Sequence, residues 1–288
     1  MTITASKIPV SVIIMTKNEE RVLRHTLSSV TAFDQVFVVD SHSTDSTQDI
    51  AKEMGAEVVE FTWDGRYPKK KEWCLLNLPF ANDWVLYLDA DELVTPRLEA
   101  ELRSLLLHSS LPAHAAYDVE LDYYFLGKRL RHGHKVTKRV LARRNLMPWP
   151  DVDDLEVTNM WEVEGHYQPI IDGTVGKLSG RLEHNDRDPL YDYFARHNRY
   201  SDWEAHLLNR QELAEHVNGA RSERSRRYAT LPFKPAAFFL YSYVARAGFL
   251  DGVAGFHYAL AHAFYFWQIG VKRMESSTKA SHAAAPSR

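Results

Sequence analysis

"WVLYLDADE", Trp84 to Glu92, is the stretch that decides the fold. Val85, Leu86 and Leu88 read as a buried strand, and Asp89, Asp91 and Glu92 follow at once. Carboxylates this close repel, and their desolvation is costly unless a cation or a hydrogen-bonding ligand shares the site. The simplest partner is a divalent metal that itself holds something anionic. Asp89 and Asp91 offer the hard oxygen ligands that Mg²⁺ or Mn²⁺ prefers. Glu92 suits the start of the helix that follows.

The neighbouring segments repeat the pattern. "PVSVIIM" is a β-branched strand followed by "TKNEE", and "QVFVVD" is a strand followed by "SHSTDST". Between them Val22, Leu23, Leu27 and Val30 recur at helical spacing. Ser43, Thr44 and Asp45 suit the N-cap of a helix carrying Ile50, Ala51 and Met54 and stopped by Gly55. "AEVVEF" is a third strand, "KKKEWCLLNL" a short helix, and Thr95-Pro96 the start of a helix bearing Leu98, Leu102, Leu105 and Leu106. Apolar strands separated by helices predict a parallel sheet covered on both faces. In such sheets ligands bind beyond the carboxyl ends of the strands. The polar clusters Thr16–Glu19, Asp40–Ser43 and Asp89–Asp91 all fall there.

Composition narrows the class. The chain has 288 residues, 45% hydrophobic and 25% charged, with a net charge of -3, so nucleic acid is not the expected partner. The lone Cys74 leaves no disulfide framework and fits a reducing cytosol. The apolar run Val10–Met15 is strand-sized, so a secretory signal is not expected. No G-x-G-x-x-G or G-x-x-x-x-G-K-[ST] follows any strand, which disfavours dinucleotide and P-loop chemistry. A phosphate cradle would then need metal and cationic side chains. Lys69, Lys70 and Lys71 read either as a solvated helix face or as partners of a diphosphate.

Together, "SVIIMTKNEE", "VFVVDSHSTDST" and "WVLYLDADE" resemble the nucleotide-sugar half of inverting family-2 glycosyltransferases of the GT-A fold. "FKPAAFFLYSYVARAGFLDGVAGFHYALAHAFYFWQ" resembles the ending of the subgroup that builds bacterial surface polysaccharide and lipopolysaccharide core. The resemblance runs from about Pro9 to Glu275. It implies a Rossmann-like α/β fold with a mostly parallel central sheet flanked by helices, and a C-terminal, aromatic-rich helical extension that associates with membrane. Residues 1–115 would form the nucleotide-sugar-binding half and 116–215 the acceptor-side half. A flexible polar loop over 216–232, amphipathic helices over 233–275 and a disordered tail over 276–288 would follow.

Position by position, the resemblance implies that Thr16, Asn18 and Glu19 hold the nucleoside, with Asp40 accepting from the base and Ser41 shaping the turn. Lys69 and Lys70 would meet the diphosphate. Asp89 would reach the ribose or the metal, Asp91 would ligate Mg²⁺ or Mn²⁺, and His184 would complete that site. Arg196 or Arg199 would clamp the diphosphate. In "MWEVEGHYQP", Glu164 and Glu162 are the candidate general bases, with Glu164 preferred beside Gly165. Here the chain departs from the family, reading Gly165-His166-Tyr167-Gln168 where a His-Glu pair is expected, so Glu162, Asp153 and Asp154 stay open.

The implied reaction moves a sugar from a nucleotide-diphosphate sugar to a hydroxyl of a lipid-linked glycan or lipopolysaccharide-core acceptor. The implied place is cytoplasmic. The C-terminal helices either pack on the catalytic domain as ordinary core or lie peripherally on the inner leaflet, and the second reading is favoured because their aromatics exceed what a small helical pair buries. Two other readings stay open: a sugar-nucleotide pyrophosphorylase, against which "TKNEE" speaks, and a non-catalytic nucleotide-sugar-binding scaffold.

Overall fold

The computed structural model describes residues 6–108, 112–151, 154–157, 160–164, 168–210 and 233–283. Asp153, Gly165, His166, Tyr167 and the loop expected over 216–232 lie outside the described residues. The chain divides into two compact units. One comprises Met1–Arg129, Lys135–Trp149 and Gln168–Arg187, the other Leu130–His134, Pro150–Tyr167 and Asp188–Arg288.

The first unit is built on one sheet. Its first strands are β1 (Ile8–Thr16), β2 (Phe33–Asp40), β3 (Glu57–Glu60) and β4 (Trp84–Asp89). They lie parallel in the order β3-β2-β1-β4. Helices α1 (Leu23–Ser29), α2 (Thr47–Glu53) and α3 (Lys70–Asn77) connect them. The parallel strands are apolar on both faces because both are covered; Val12, Ile13, Ile14, Val38, Leu86 and Leu88 are all fully buried. The register then levels the strand ends: Thr16 lies opposite Asp40, and Met15 opposite Asp89. Three loops therefore leave the sheet at one edge, as the polar clusters suggest.

Beyond β4 come β5 (Glu92–Val94), α4 (Pro96–Arg103), β6 (Ala116–Phe125), β7 (Lys128–Arg129), β8 (Thr137–Arg143) and β9 (Val175–His184). The sheet continues β4-β8-β6-β9-β5, with β8 antiparallel to β4, so segments on both sides of residue 115 share one sheet. Thr95 caps α4 by accepting from the Leu98 amide, with Pro96 in the first turn, as the sequence predicts. A Cβ on Gly180 of β9 would lie 2.4 Å from the Leu98 Cα, so this glycine lets α4 lie close on the strand. The N-cap of α2 is Ser46, one residue beyond the predicted caps. Asp45 still does capping work, accepting from the amide and hydroxyl of Thr47.

The second unit is mainly helical: α5 (Leu190–Asn209), α6 (Lys234–Phe239) and α7 (Gly252–Ala283). A wider turn over Leu240–Ala245 and a tighter one over Gly248–Asp251 join the last two. Helix α7 runs on through Ala283, past the point at Ser276 where composition suggests a disordered tail. Once nucleated by packing, a helix extends at little cost through lysine and alanine. Trp203 of α5 is fully buried and donates its indole N–H to Asp154 at 2.7 Å. Among the described residues no helix is long and apolar enough to cross a membrane.

Candidate active site

The first two strand-end loops are stitched together around Asp40, which is fully buried. Its Oδ1 accepts from Thr16 Oγ1 (2.8 Å) and Ser43 Oγ (2.5 Å), and its Oδ2 from the Ser43 amide (2.8 Å) and Gln48 Nε2 (2.9 Å). Burial works against the charge, but these bonds outweigh it and hold the carboxyl below its ordinary value. Four donors fill the four lone-pair directions of a carboxylate. Asp40 is thus the organiser of the loop; the expected acceptor for a nucleobase has no direction left in this state.

The same loops take up the other predicted nucleoside residues. Asn18 has positive φ (60°) and accepts the Thr44 amide on its side chain, while its own amide donates to Ser43 Oγ. The Glu19 amide donates to Thr47 Oγ1, and the Ser41 amide to the Thr16 carbonyl. Lys70 reaches between them, donating from Nζ to Thr16 O (3.1 Å) and Ser41 Oγ (2.6 Å). Lys69 and Lys70 are each 1% exposed and Lys71 is buried over the Trp149 ring, so the run is not a solvated helix face. A buried ammonium is tolerated only with such partners.

The acids after β4 have an internal cation that sequence reading misses. Lys138 of β8 donates from Nζ to Asp89 Oδ2 (2.7 Å) and to Glu92 Oε1 and Oε2 (2.9 and 2.8 Å). Glu92 is buried and accepts the Asp89 amide, so its place is this network rather than the start of the next helix. One cation between two carboxylates separates their behaviour. Against burial, Lys138 and Lys71 hold Asp89 far below its ordinary value; burial and the charge of Asp89 push Glu92 up. Lys138 in turn is held well above its usual range, the two carboxylates outweighing burial. The only sequence signal for such a partner was the surplus of acid itself.

Asp91 stands apart from this pairing. Its carbonyl accepts the Asn185 amide, and Thr26 Oγ1 holds the neighbouring Ala90 carbonyl at 2.5 Å. Burial, then Asp89 and Asp186, push its carboxyl up, against the pull of His184 and Lys138. Register places His184 opposite Glu92 across β5 and β9. Its Nδ1 lies 3.5 Å from Asp91 Oδ1 and is buried with no hydrogen bond. Val22, His25, Leu93 and Arg187 line the small cavity beside Asp91.

No three His, Cys, Asp or Glu side chains gather to hold a metal ion among the described residues. Mg²⁺ rarely uses an all-protein cage, taking one or two carboxylates with substrate phosphates and water. One carboxylate beside an orphaned imidazole nitrogen fits that donor set, and oxygen with nitrogen also suits Mn²⁺.

The candidate bases lie in the second unit. Glu164 is buried and Glu162 half-buried. Asp154 is committed to Trp203. Arg196 pairs with Asp188 at 2.6 Å, and Arg199 lies over the Trp161 ring at 5.4 Å with its Nε buried and without a hydrogen bond.

Residues 11–152 match the family model for glycosyl transferase family 2. The match takes in just under half of the chain. The matched residues cover the strand-end loops, the acids after β4 and Lys138, whereas His184 and the two glutamates lie beyond them. An uncharacterized glycosyltransferase of Rickettsia typhi is 35% identical over 122 residues, 41% of this chain and 40% of that protein. One from Rickettsia conorii is 36% identical over 116 residues, 39% of each. The chain thus spans about 40% of the length of the curated relatives it matches. Among solved structures, the mannosyltransferase PcManGT of Pyrobaculum calidifontis, in complex with GDP-Man and Mn²⁺, has a TM-score of 0.46 at 14% identity, covering 94% of this chain and 88% of that one. The glucosyl-3-phosphoglycerate synthase of Mycobacterium tuberculosis, with Mn²⁺ and UDP, has a TM-score of 0.40 at 20% identity, covering 71% and 79%.

Proposed function

We propose that this protein is a metal-dependent inverting glycosyltransferase. It moves a sugar from a nucleotide-diphosphate sugar to a hydroxyl of a lipid-linked glycan or lipopolysaccharide-core acceptor, at the cytoplasmic face of the inner membrane. The observation that carries the reading is the pairing, beside strand ends that match the family-2 model, of Asp91 with the orphaned Nδ1 of His184.

In this reading Thr16, Asn18, Glu19 and Ser41 shape the nucleoside cleft, and Asp40 and Lys70 hold its loops in position. Lys69 supports the diphosphate side, and Asp89, kept ionised by Lys138, faces the ribose. Asp91 and His184 would hold Mg²⁺ or Mn²⁺. When bound, the ion neutralises charge on the departing diphosphate. Glu164 takes the proton of the acceptor hydroxyl as the bond to the anomeric carbon forms and the bond to phosphate breaks. Glu162 is the second candidate for that role.

Asp91→Asn keeps the side chain's shape and removes its charge. Expected is a loss on the order of a hundredfold or more in Mn²⁺-dependent donor hydrolysis and transfer, with an unchanged circular dichroism spectrum. Wild-type turnover in this variant would overturn the site.

A further inference from the structure

Helix α7 turns one apolar face outward. Val253, Phe256, Leu260, Phe264, Trp267 and Val271 recur every three or four residues, and each is between 37% and 71% exposed. Met274, 63% exposed, ends the stripe. At 1.5 Å per residue the stripe is about 32 Å long. From Gly252 to Val271 the sequence holds no Asp, Glu, Lys or Arg. The approach to the helix adds to the face, with Leu240, Val244, Phe249 and Leu250 all about half exposed or more. Contiguous exposure on this scale marks an interaction surface rather than scattered surface leucines.

Charge selects the occupant. Residues 219–288 contain ten Lys and Arg against three Asp and Glu, whereas the whole chain has 35 against 38. The end of the chain is therefore basic and the remainder strongly acidic. An anionic surface attracts the first and repels the second. Exposed Arg246 precedes the stripe and exposed Arg273 flanks its far end, framing apolar and aromatic side chains as an interfacial helix requires. A second copy of the chain fits less well. Coiled-coil pairing needs two apolar seams at a strict spacing of seven. Here Val253, Leu260, Trp267 and Met274 make one; the other runs either through inward-turned Ala263 and bare Gly270 or through His257, Phe264 and Val271, where a polar imidazole and a bulky ring replace the aliphatic side chains that such a seam interlocks.

We propose that this face of α7, with the turns before it, lies in the headgroup region of an anionic bilayer without crossing it. The proposal deepens the lipid-linked acceptor reading and rests on it for its purpose; binding itself is measurable without donor or acceptor. The test is flotation of the full chain with phosphatidylcholine vesicles that contain or lack phosphatidylglycerol. The wild type should float with the anionic vesicles and less so in high salt. Leu260→Glu/Trp267→Glu alters only exposed positions, and should lose roughly a hundredfold in partitioning while keeping its donor hydrolysis. A wild type that stays at the bottom overturns the proposal, as does a variant that floats equally well. So does a wild-type dimer, seen by light scattering, that the variant lacks. Flotation without any donor hydrolysis would sink the transferase reading and leave this one standing.

Discussion

Lys138 does at residue scale what the acid run alone seemed to require of a bound ion. It ties Asp89 and Glu92 together, leaving Asp91 and His184 as the pair with unspent coordinating capacity. Removing one partner of a buried ionic cluster leaves the others uncompensated, which costs more than the cluster itself contributes. Lys138→Met should therefore destabilise the protein by about 3 kcal/mol, read by urea denaturation. Adding Glu92→Gln to it should recover part of the loss, because only half-exposed Asp89 is then left charged. Asp40 makes a second, pH-dependent case. Its carboxyl is depressed in the folded state by hydrogen bonds, so its contribution is present above the unfolded value, about 3.9, and fades as pH falls through the folded one. Asp40→Asn should cost about 1–3 kcal/mol at neutral pH. In thermal melts the gap from wild type should narrow below about pH 4. A gap that stays constant down to pH 3 would contradict the assignment. The aspartate was legible in sequence as a strand-end acid; that it spends every lone pair on its own loop was not.

At the scale of elements, the parallel strands and their helices were readable because each depends on local pattern: β-branched runs, a helical repeat, a threonine-proline cap. The strands after residue 115 were less so: their alternation of apolar and polar residues marks extended chain, but their order follows from pairing with distant partners. Gly180 shows how such pairing acts on the site. Without a Cβ it admits the Leu98 backbone, and four residues further along the same strand stands His184. Gly180→Ala should force α4 off β9, lowering stability by about 3 kcal/mol. It should also weaken Mn²⁺ affinity, measured by calorimetry in the presence of donor nucleotide. Full retention of both would mean that the close approach matters neither to the strand nor to its histidine.

For the whole molecule, ligand binding is the most direct check, because anything that binds only the folded state raises its melting temperature. Among UDP-, GDP- and dTDP-sugars, the true donor at a hundred times its dissociation constant with Mn²⁺ should add about 2.7 kcal/mol, and Asp91→Asn should abolish most of the metal-dependent part. Local order along the chain was enough to determine a sheet with polar strand ends and the likeness to family-2 glycosyltransferases over its first half, since strand, turn and helix signals are written in neighbouring residues. The partner of the acids was not. Lys138 lies 49 residues from Asp89, and only the register of β8 on β4 brings the two together. The C-terminal aromatics were likewise visible as a surplus, but which of them turn outward was settled by what packs against α7. Tertiary structure decided those points because charge compensation and burial are properties of side chains meeting across sequence distance.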